Sequence, residues 1–443
     1  MIALLSTLTL ALALSSTPVS PSARNAPVVA PAADSLKTMY SVGGVRVIHR
    51  RANVSTVVTN IYLLGGVRSA PAGRSGIENF LLQVGERGTA KYPRDVLRRS
   101  LARTGSEMVI ESREDWTMIG ARTTPTALDS TWAILADRVM SPRLDSADVE
   151  FVREQLLSAL RQRSDSPDAM LAYLSDSTAF AGSSYALSPV GTEGTIANTT
   201  HAELVRFQRE QIVKSRILLV VVGNVDRATV ERMVSGTLAS LPAGSYGWTM
   251  PDTLPTGGSD ALIVRRAVPT NYLQGSFQGP PATSSDAAAL RVASAVLSGR
   301  LFGEVRSKRN LTYAVSANYS DRALTSVGLY VTTTFPDSVV ALMAAEVGRL
   351  QTFEIQTNYL LPIIQQFITE YFLENESSTA QANFLTRALL YRGDFLAGER
   401  FVSDLRAVTG ADVRRVARRY FQNPRWVYIG DPSRVSREKL TGF

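Results

Sequence analysis

Residues 117–139, TMIGARTTPTALDSTWAILADRV, and residues 329–350, LYVTTTFPDSVVALMAAEVGRL, carry one plan: a strand, Thr-Thr, a proline, Asp-Ser and a helix with periodic apolar positions. The copies stand roughly 200 residues apart, far beyond the 20–50 residues of a solenoid repeat, so a whole domain is duplicated. Working outward from the first copy, YSVGGVRVIHRR and STVVTNIYLLGGV read as strands, and Gly76 to about Gly85 as a short helix. YPRDVLRRSLARTG is a helix closed by Gly105, and SEMVIESRED with WTMIGARTTP is a strand pair around a charged turn. Downstream lie DSADVEFVREQLLSALRQRS, a helix that Asp145 or Ser146 can cap, then the buried strand SRILLVVVGNVD and the helix RATVERMVSGTLASLP. Around the second copy the order recurs: strands in ALIVRRA and NYLQGSFQGPP, a long helical region in SSDAAALRVASAVLSGRLFGEVRSKR, and a strand pair ending in the quoted segment. Two such lobes can enclose a cleft.

With 443 residues, the chain fits two or three domains at about 150 residues each. Its 45% hydrophobic and 19% charged residues argue against a mainly disordered chain. The net charge of +8 comes from 47 basic against 39 acidic residues, and no basic cluster is interleaved with aromatics, which argues against nucleic-acid binding. RDVLRRSLAR and VRRVARRYF place arginines at helical spacing and read as solvated helix faces. YLLPIIQQFITEYFLEN, with Pro362 near its start, reads as a core helix. There is no cysteine, hence no disulfide and no thiol nucleophile. The opening MIALLSTLTLALALSSTPVSPSARNAP has an apolar run and then small residues, and predicts a signal peptide over 1–23 and a secreted or periplasmic protein. The run falls short of the ~20 apolar residues of a spanning helix, although an uncleaved leader would anchor the chain to a membrane. A disordered lead over 24–36, a first domain over 37–241, a Pro/Gly/Ser-rich linker over 242–260 and a second domain over 261–443 complete the expected organisation.

The short helix GIENFLLQ, Gly76–Gln83, follows a Gly-rich lead and runs into Gly-Thr. It has the setting of an active-site helix without a side chain suited to holding a metal. Only His49 and His201 exist in the chain, one in a strand and one at a helix start, each without a His or Cys partner nearby, and both read as structural. No G-x-S-x-G elbow or P-loop is present, so an independent hydrolase is poorly supported.

The ordered series of a strand ending in Gly-Gly-x-Arg, a Gly-led helix, Gly-Thr, a helix ending in Gly and a strand pair resembles the N-terminal domain of the insulinase/pitrilysin-like zinc peptidases. SSYALSPVGTEGTIANTTHAEL, VVVGNVD and SGRLFGEVRSKRNLTYAV extend the likeness over nearly the whole chain after its leader. The resemblance implies an α+β fold of two homologous domains, each a mainly antiparallel sheet covered by helices, that form a clam-like cleft. In that family the first helix carries H-x-x-E-H, two zinc-binding imidazoles and a glutamate base. Matched residue by residue, those positions are Asn79, Leu82 and Gln83 here, and Glu78 lies on another side of the helix. The family's further glutamate ligand falls around Ala159 to Arg161, where there is no acid; Glu150 and Glu154 lie earlier and read as a solvated helix start.

The resemblance also implies a role for Arg306 and Tyr313 in RSKRNLTY. At this spacing an Arg and a Tyr of the family's second domain face the zinc site, where they can donate hydrogen bonds to a peptide carbonyl or its oxyanion. The plainer alternative pairs Arg306 with an acidic neighbour such as Glu304 or with solvent, and packs Tyr313 in a strand. Some family members work as pairs of chains, one with the zinc motif and one with the Arg/Tyr pair, and this chain looks like the latter. The expectation is a non-catalytic subunit that binds peptide and pairs, as a heterodimer or a dimer of heterodimers, with an H-x-x-E-H-bearing homologue that holds the zinc. The runner-up is an inert structural or peptide-binding protein comparable to respiratory-complex core subunits.

Overall fold

The computed structural model describes residues 36–253 and 257–443. The expected signal peptide over 1–23 and nearly all of the expected lead lie outside them. Among the described residues two sheets organise the chain. The first lobe runs β1 (Lys37–Val42), β2 (Val45–Arg51), β3 (Val57–Leu64), α1 (Ile77–Val84), α2 (Arg94–Thr104), β4 (Glu107–Ser112), β5 (Trp116–Thr123), α3 (Leu128–Met140), α4 (Ser146–Asp165), α5 (Pro167–Ala179), α6 (Glu193–Asn198), α7 (His201–Gln211), β6 (Ile217–Gly223) and α8 (Arg227–Ser235). The second runs β7 (Asp260–Arg265), β8 (Asn271–Pro281), α9 (Asp286–Leu301), β9 (Ala314–Ser320), β10 (Leu324–Thr333), α10 (Pro336–Thr352), α11 (Thr357–Glu374), α12 (Ser378–Arg392), α13 (Phe401–Arg406), α14 (Gly410–Tyr420), β11 (Arg425–Gly430) and α15 (Arg437–Thr441).

The strand orders are β1-β2-β6-β3-β5-β4 and β7-β11-β8-β10-β9. Each sheet has one parallel pair, β2 with β6 and β7 with β11, and is otherwise antiparallel, the mainly antiparallel α+β plan expected from the sequence. β4 and β9 are therefore equivalent edge strands, each next to a helix, α1 or α9, that follows the lobe's third or second strand. On one face of the first sheet Ile61, Leu63, Ile119, Leu219 and Val221 pack with Phe80, Trp132 and Leu204 from the helices. The second lobe buries Leu273, Val327 and Leu329 with Leu290, Met343 and Val416 in the same manner.

The other faces are covered by exchange. α12, from the second half of the chain, packs its Ala382, Leu385 and Leu390 on Ile48, Tyr62 and Val220 of the first sheet. α5, from the first half, lays Leu171 on Val427 and Ile429 of the second sheet, and its end accepts a hydrogen bond from Gln278 at the Ala179 carbonyl. The Pro/Gly/Ser-rich segment is likewise packed: Ser215 N donates to Ala243 O and Trp248 Nε1 to Leu390 O, both at 2.8–2.9 Å.

Three expectations need correction. α11 buries only Leu360, Ile364 and Ile368, while Tyr359, Leu361, Phe372 and Leu373 are exposed, so its apolar sequence does not make it a core helix. The arginines of α14 are not simply solvated: Arg415 and Arg419 pair with Asp286 at the start of α9, and Arg414 with Glu354. Asp145 occupies the cap position of α4 but makes no side-chain cap bond, pairing with Arg143 instead.

Candidate functional site

α1 keeps its glycine-led start for a steric reason. Gly76 starts it at φ 86°, and a Cβ there would sit 2.6 Å from the Gly191 backbone, so only glycine lets the 188–192 loop close over the helix. The residues on that frame point to packing. Asn79 is 5% exposed and its Oδ1 accepts from Ser112 Oγ at the end of β4, at 3.2 Å. Leu82 is 2% exposed and belongs to the first core, while Gln83 is half-buried. The donors needed by zinc are imidazole, thiolate or carboxylate; an asparagine, a leucine and a glutamine, with the exposed Ala159 on α4, do not fit it.

Glu78 faces away from Asn79 into the core. Its Oε2 lies 2.7 Å from Nη2 of Arg216, the residue before β6, whose Nε donates to Leu64 O at 2.8 Å. Both side chains are buried, and burial raises the Glu78 carboxyl above its ordinary range, with Arg216 and Thr117 opposing. This pair was invisible in the sequence because its members are far apart along the chain. Glu150, at the exposed start of α4, pairs with Arg153, and Glu154 is exposed. Arg153 in turn lies over the Phe80 ring of α1 at 5.2 Å.

Each histidine has a local partner. His49 is buried with Nε2 3.1 Å from Val225 O, and burial lowers its pKa. His201 opens α7 with Nε2 2.6 Å from Leu144 O.

Arg306 and Tyr313 come together in the second lobe. The end of α9 continues as a π-helical segment over Phe302–Ser307, a winding often found at functional sites. It places the Arg306 guanidinium 5.1 Å from the Phe302 ring and 5.0 Å from the Tyr313 ring. Glu304 is taken by Lys308 and Arg309, so the Arg306–Glu304 alternative does not occur, and Arg306 has no acidic partner among the described residues. Tyr313 is 83% exposed and lies just before β9 rather than packing within it. Phe302 was missed in the sequence, although its spacing of four residues from Arg306 in LFGEVRS is a readable helical signal. The packing partners of α1 are α4, α6, α7, β4 and β5, whereas the Arg306 segment packs on α9, α10 and β9. The structure joins Arg306 to Tyr313.

The lobes meet at their hairpin tips. Arg322, between β9 and β10, reaches Glu114 between β4 and β5 at 3.4 Å and Asp176 of α5 at 2.7 Å. Burial, opposed by Arg322, raises the Glu114 carboxyl. Beside this bridge a cavity of about 750 Å³ is lined from both lobes, by Glu111 and Trp116 on one side and Tyr319 and Arg387 on the other. The outer edge of β4 runs towards it, and among the described residues no side chain or loop hydrogen-bonds that edge.

Two sheet-and-helix lobes that meet at their hairpin tips beside a cavity lined from both make a two-domain α+β chain. The model of the insulinase family, Peptidase family M16, matches residues 46–193, and that of the Peptidase M16 inactive domain matches residues 198–367. The chain belongs to this insulinase-like M16 family. It is 23% identical to an uncharacterized zinc protease of Streptomyces coelicolor, over 85% of each chain. It is 22% identical to cytochrome b-c1 complex subunit 1 of Caenorhabditis elegans, over 85% of this chain and 84% of that one. With the mitochondrial-processing peptidase subunit beta of Blastocladiella emersonii it shares 23% identity over 83% of this chain and 82% of the relative. In fold it is similar to a protease from Helicobacter pylori, with TM-score 0.81 and 19% identity over 89% of this chain and 99% of that one. A peptidase M16 inactive domain from Pseudomonas fluorescens gives TM-score 0.81 and 15% identity over 89% and 98%.

Proposed function

We propose that this chain is the non-catalytic subunit of a secreted or periplasmic two-chain zinc metallopeptidase. It holds peptide substrate and closes against a homologous H-x-x-E-H-bearing partner, which carries the zinc. The observation that supports this reading is selective: Asn79 and Leu82 are buried and Gln83 half-buried, while Arg306 is half-buried against an exposed Tyr313, without an acid to neutralise the guanidinium. A guanidinium and a phenol so held can donate to the carbonyl oxygen of a scissile peptide, or to the oxyanion formed when the partner's nucleophile attacks it. The open edge of β4 adds backbone donors and acceptors for an extended peptide. Among the described residues no helix is long and apolar enough to cross a membrane.

The test is peptide cleavage by the purified chain alone and with its partner, before and after Arg306→Ala combined with Tyr313→Phe. Activity is expected only in the complex, and the double substitution is expected to lower it by about 100-fold, the scale of losing one oxyanion donor. Undiminished activity of the substituted complex would sink the shared-site reading. The likeness to cytochrome b-c1 complex subunit 1 favours a second reading, an inert structural member of a larger assembly. Co-purification in such an assembly, with no cleavage in any fraction, would replace the first reading with the second.

A further inference from the structure

A second cavity, of about 950 Å³, opens wholly within the second lobe between α9, the end of α10 and α11. Its apolar wall includes Phe353, Tyr359 and Phe367, and the first two are 67% exposed. Its polar side is built around a single buried carboxylate. Glu346 is 2% exposed, and its oxygens take Arg300 Nε and Arg349 Nη1, each at 2.7 Å. Two guanidiniums held by one carboxylate leave a net positive charge at that side, the other carboxylate of the lining, Glu354, being paired with Arg414, and the remaining N–H groups of Arg300 and Arg349 have no partner among the described residues. The arginines are 37% and 52% exposed at the side chain, so those groups are reachable from the cavity they line. Paired, pre-oriented guanidiniums of this kind suit a carboxylate. Asn318 and Gln366 also line the cavity; their amide nitrogens are used within the chain, by Ser316 and Glu370, and their side-chain oxygens accept no hydrogen bond among the described residues. Those free acceptors suit amide N–H groups and would be wasted on a plain alkyl chain.

We infer that this cavity binds the free C-terminus of a peptide whose last side chain is apolar. The terminal carboxylate lies on Arg300 and Arg349, the last side chain against Phe353 and Tyr359, and backbone N–H groups donate to Asn318 and Gln366. The site belongs to this chain alone, so it stands or falls separately from the partner-subunit reading.

Calorimetric titration of the whole chain with acetyl-Gly-Gly-Phe, with its C-terminal amide and with decanoate tests it. The acid is expected to bind saturably below about 1 mM, and the amide about tenfold more weakly. Arg349→Gln leaves the Arg300–Glu346 contact in place and is expected to weaken the acid about tenfold while leaving the amide unchanged. Gly299 lines the cavity from α9 and a Cβ there meets nothing within 4 Å, so Gly299→Phe is expected to fold with wild-type thermal stability and abolish binding. Equal binding of acid and amide, undiminished binding by Gly299→Phe, binding of decanoate without the peptide, or no saturable binding of the acid would each overturn the assignment.

Discussion

The helix that follows the early strands has become two different things in the two lobes. In the first, α1 rests on a buried Glu78–Arg216 contact and leaves the neighbouring edge strand β4 with its backbone unpaired on one side. In the second, α9 is anchored by packing along most of its length, and Ser298 on it accepts the backbone N–H of Ala317 at 3.1 Å, so the helix partly closes the equivalent edge, β9. An unpaired edge invites association and is normally blunted. The lobe that blunts it carries the Arg306–Tyr313 pair, and the lobe that leaves it open carries Asn79, Leu82 and Gln83 on α1. Of these two equivalent edges, β9 donates a backbone hydrogen bond to its neighbouring helix and β4 does not.

The largest expected effect tests the support under α1. Arg216→Met leaves the Glu78 carboxyl buried without its cation, and a loss of about 3–5 kcal/mol in urea unfolding is expected, whereas Glu78→Met together with Arg216→Met should come back to within about 2 kcal/mol of the parent, the remainder being the lost Arg216 hydrogen bond to the Leu64 carbonyl. A single substitution as mild as the double would show that the pair is not what holds this helix. The matching change in the second lobe is smaller. Ser298→Ala removes the acceptor of Ala317 N–H and should cost about 1 kcal/mol in the same measurement, with no loss expected if that edge were solvated in the parent. The smallest effect concerns the tips, which carry an acid, Glu114, in one lobe and a cation, Arg322, in the other. Burial sets the folded Glu114 pKa above its ordinary 4.5, so the folded form binds more protons than the unfolded chain between those two values. Stability from this group is therefore greatest below the unfolded value and declines as pH rises through the folded one. Glu114→Gln is expected to flatten the fall of Tm with pH from about 4.5 upward; parallel Tm profiles would show that Glu114 does not titrate at the lobe contact.

The two-lobe plan was legible because strand alternation, Gly105 and the paired Thr-Thr/Pro/Asp-Ser segments are local signals. That Asn79, Leu82 and Gln83 share one short helix was legible because it depends on spacing within a single element. The Glu78–Arg216 contact was not, since nothing near either residue records its partner. Nor was the exchange of α5 and α12: an apolar helix face announces that it will be covered without saying by which sheet. α11 shows the converse error, where a nearly continuous apolar sequence buries one stripe and exposes Tyr359 and Phe372. Tyr313 was found only through its place in the family pattern, and its exposure could not be read from LTYAV.

The bridge at the tips also acts as an end-stop. β4 is six residues long and finishes at Ser112, immediately before the turn whose Glu114 is held by Arg322 of the other lobe. At about 3.3 Å per residue, that open edge offers roughly 20 Å of rail. A chain annealed along it meets the second lobe at one end, so residues beyond that point must bend away or part the tips. For a chain lying there, the same short contact that ties the lobes together would limit how much of it can lie straight, and a longer one would have to loosen the contact in order to advance.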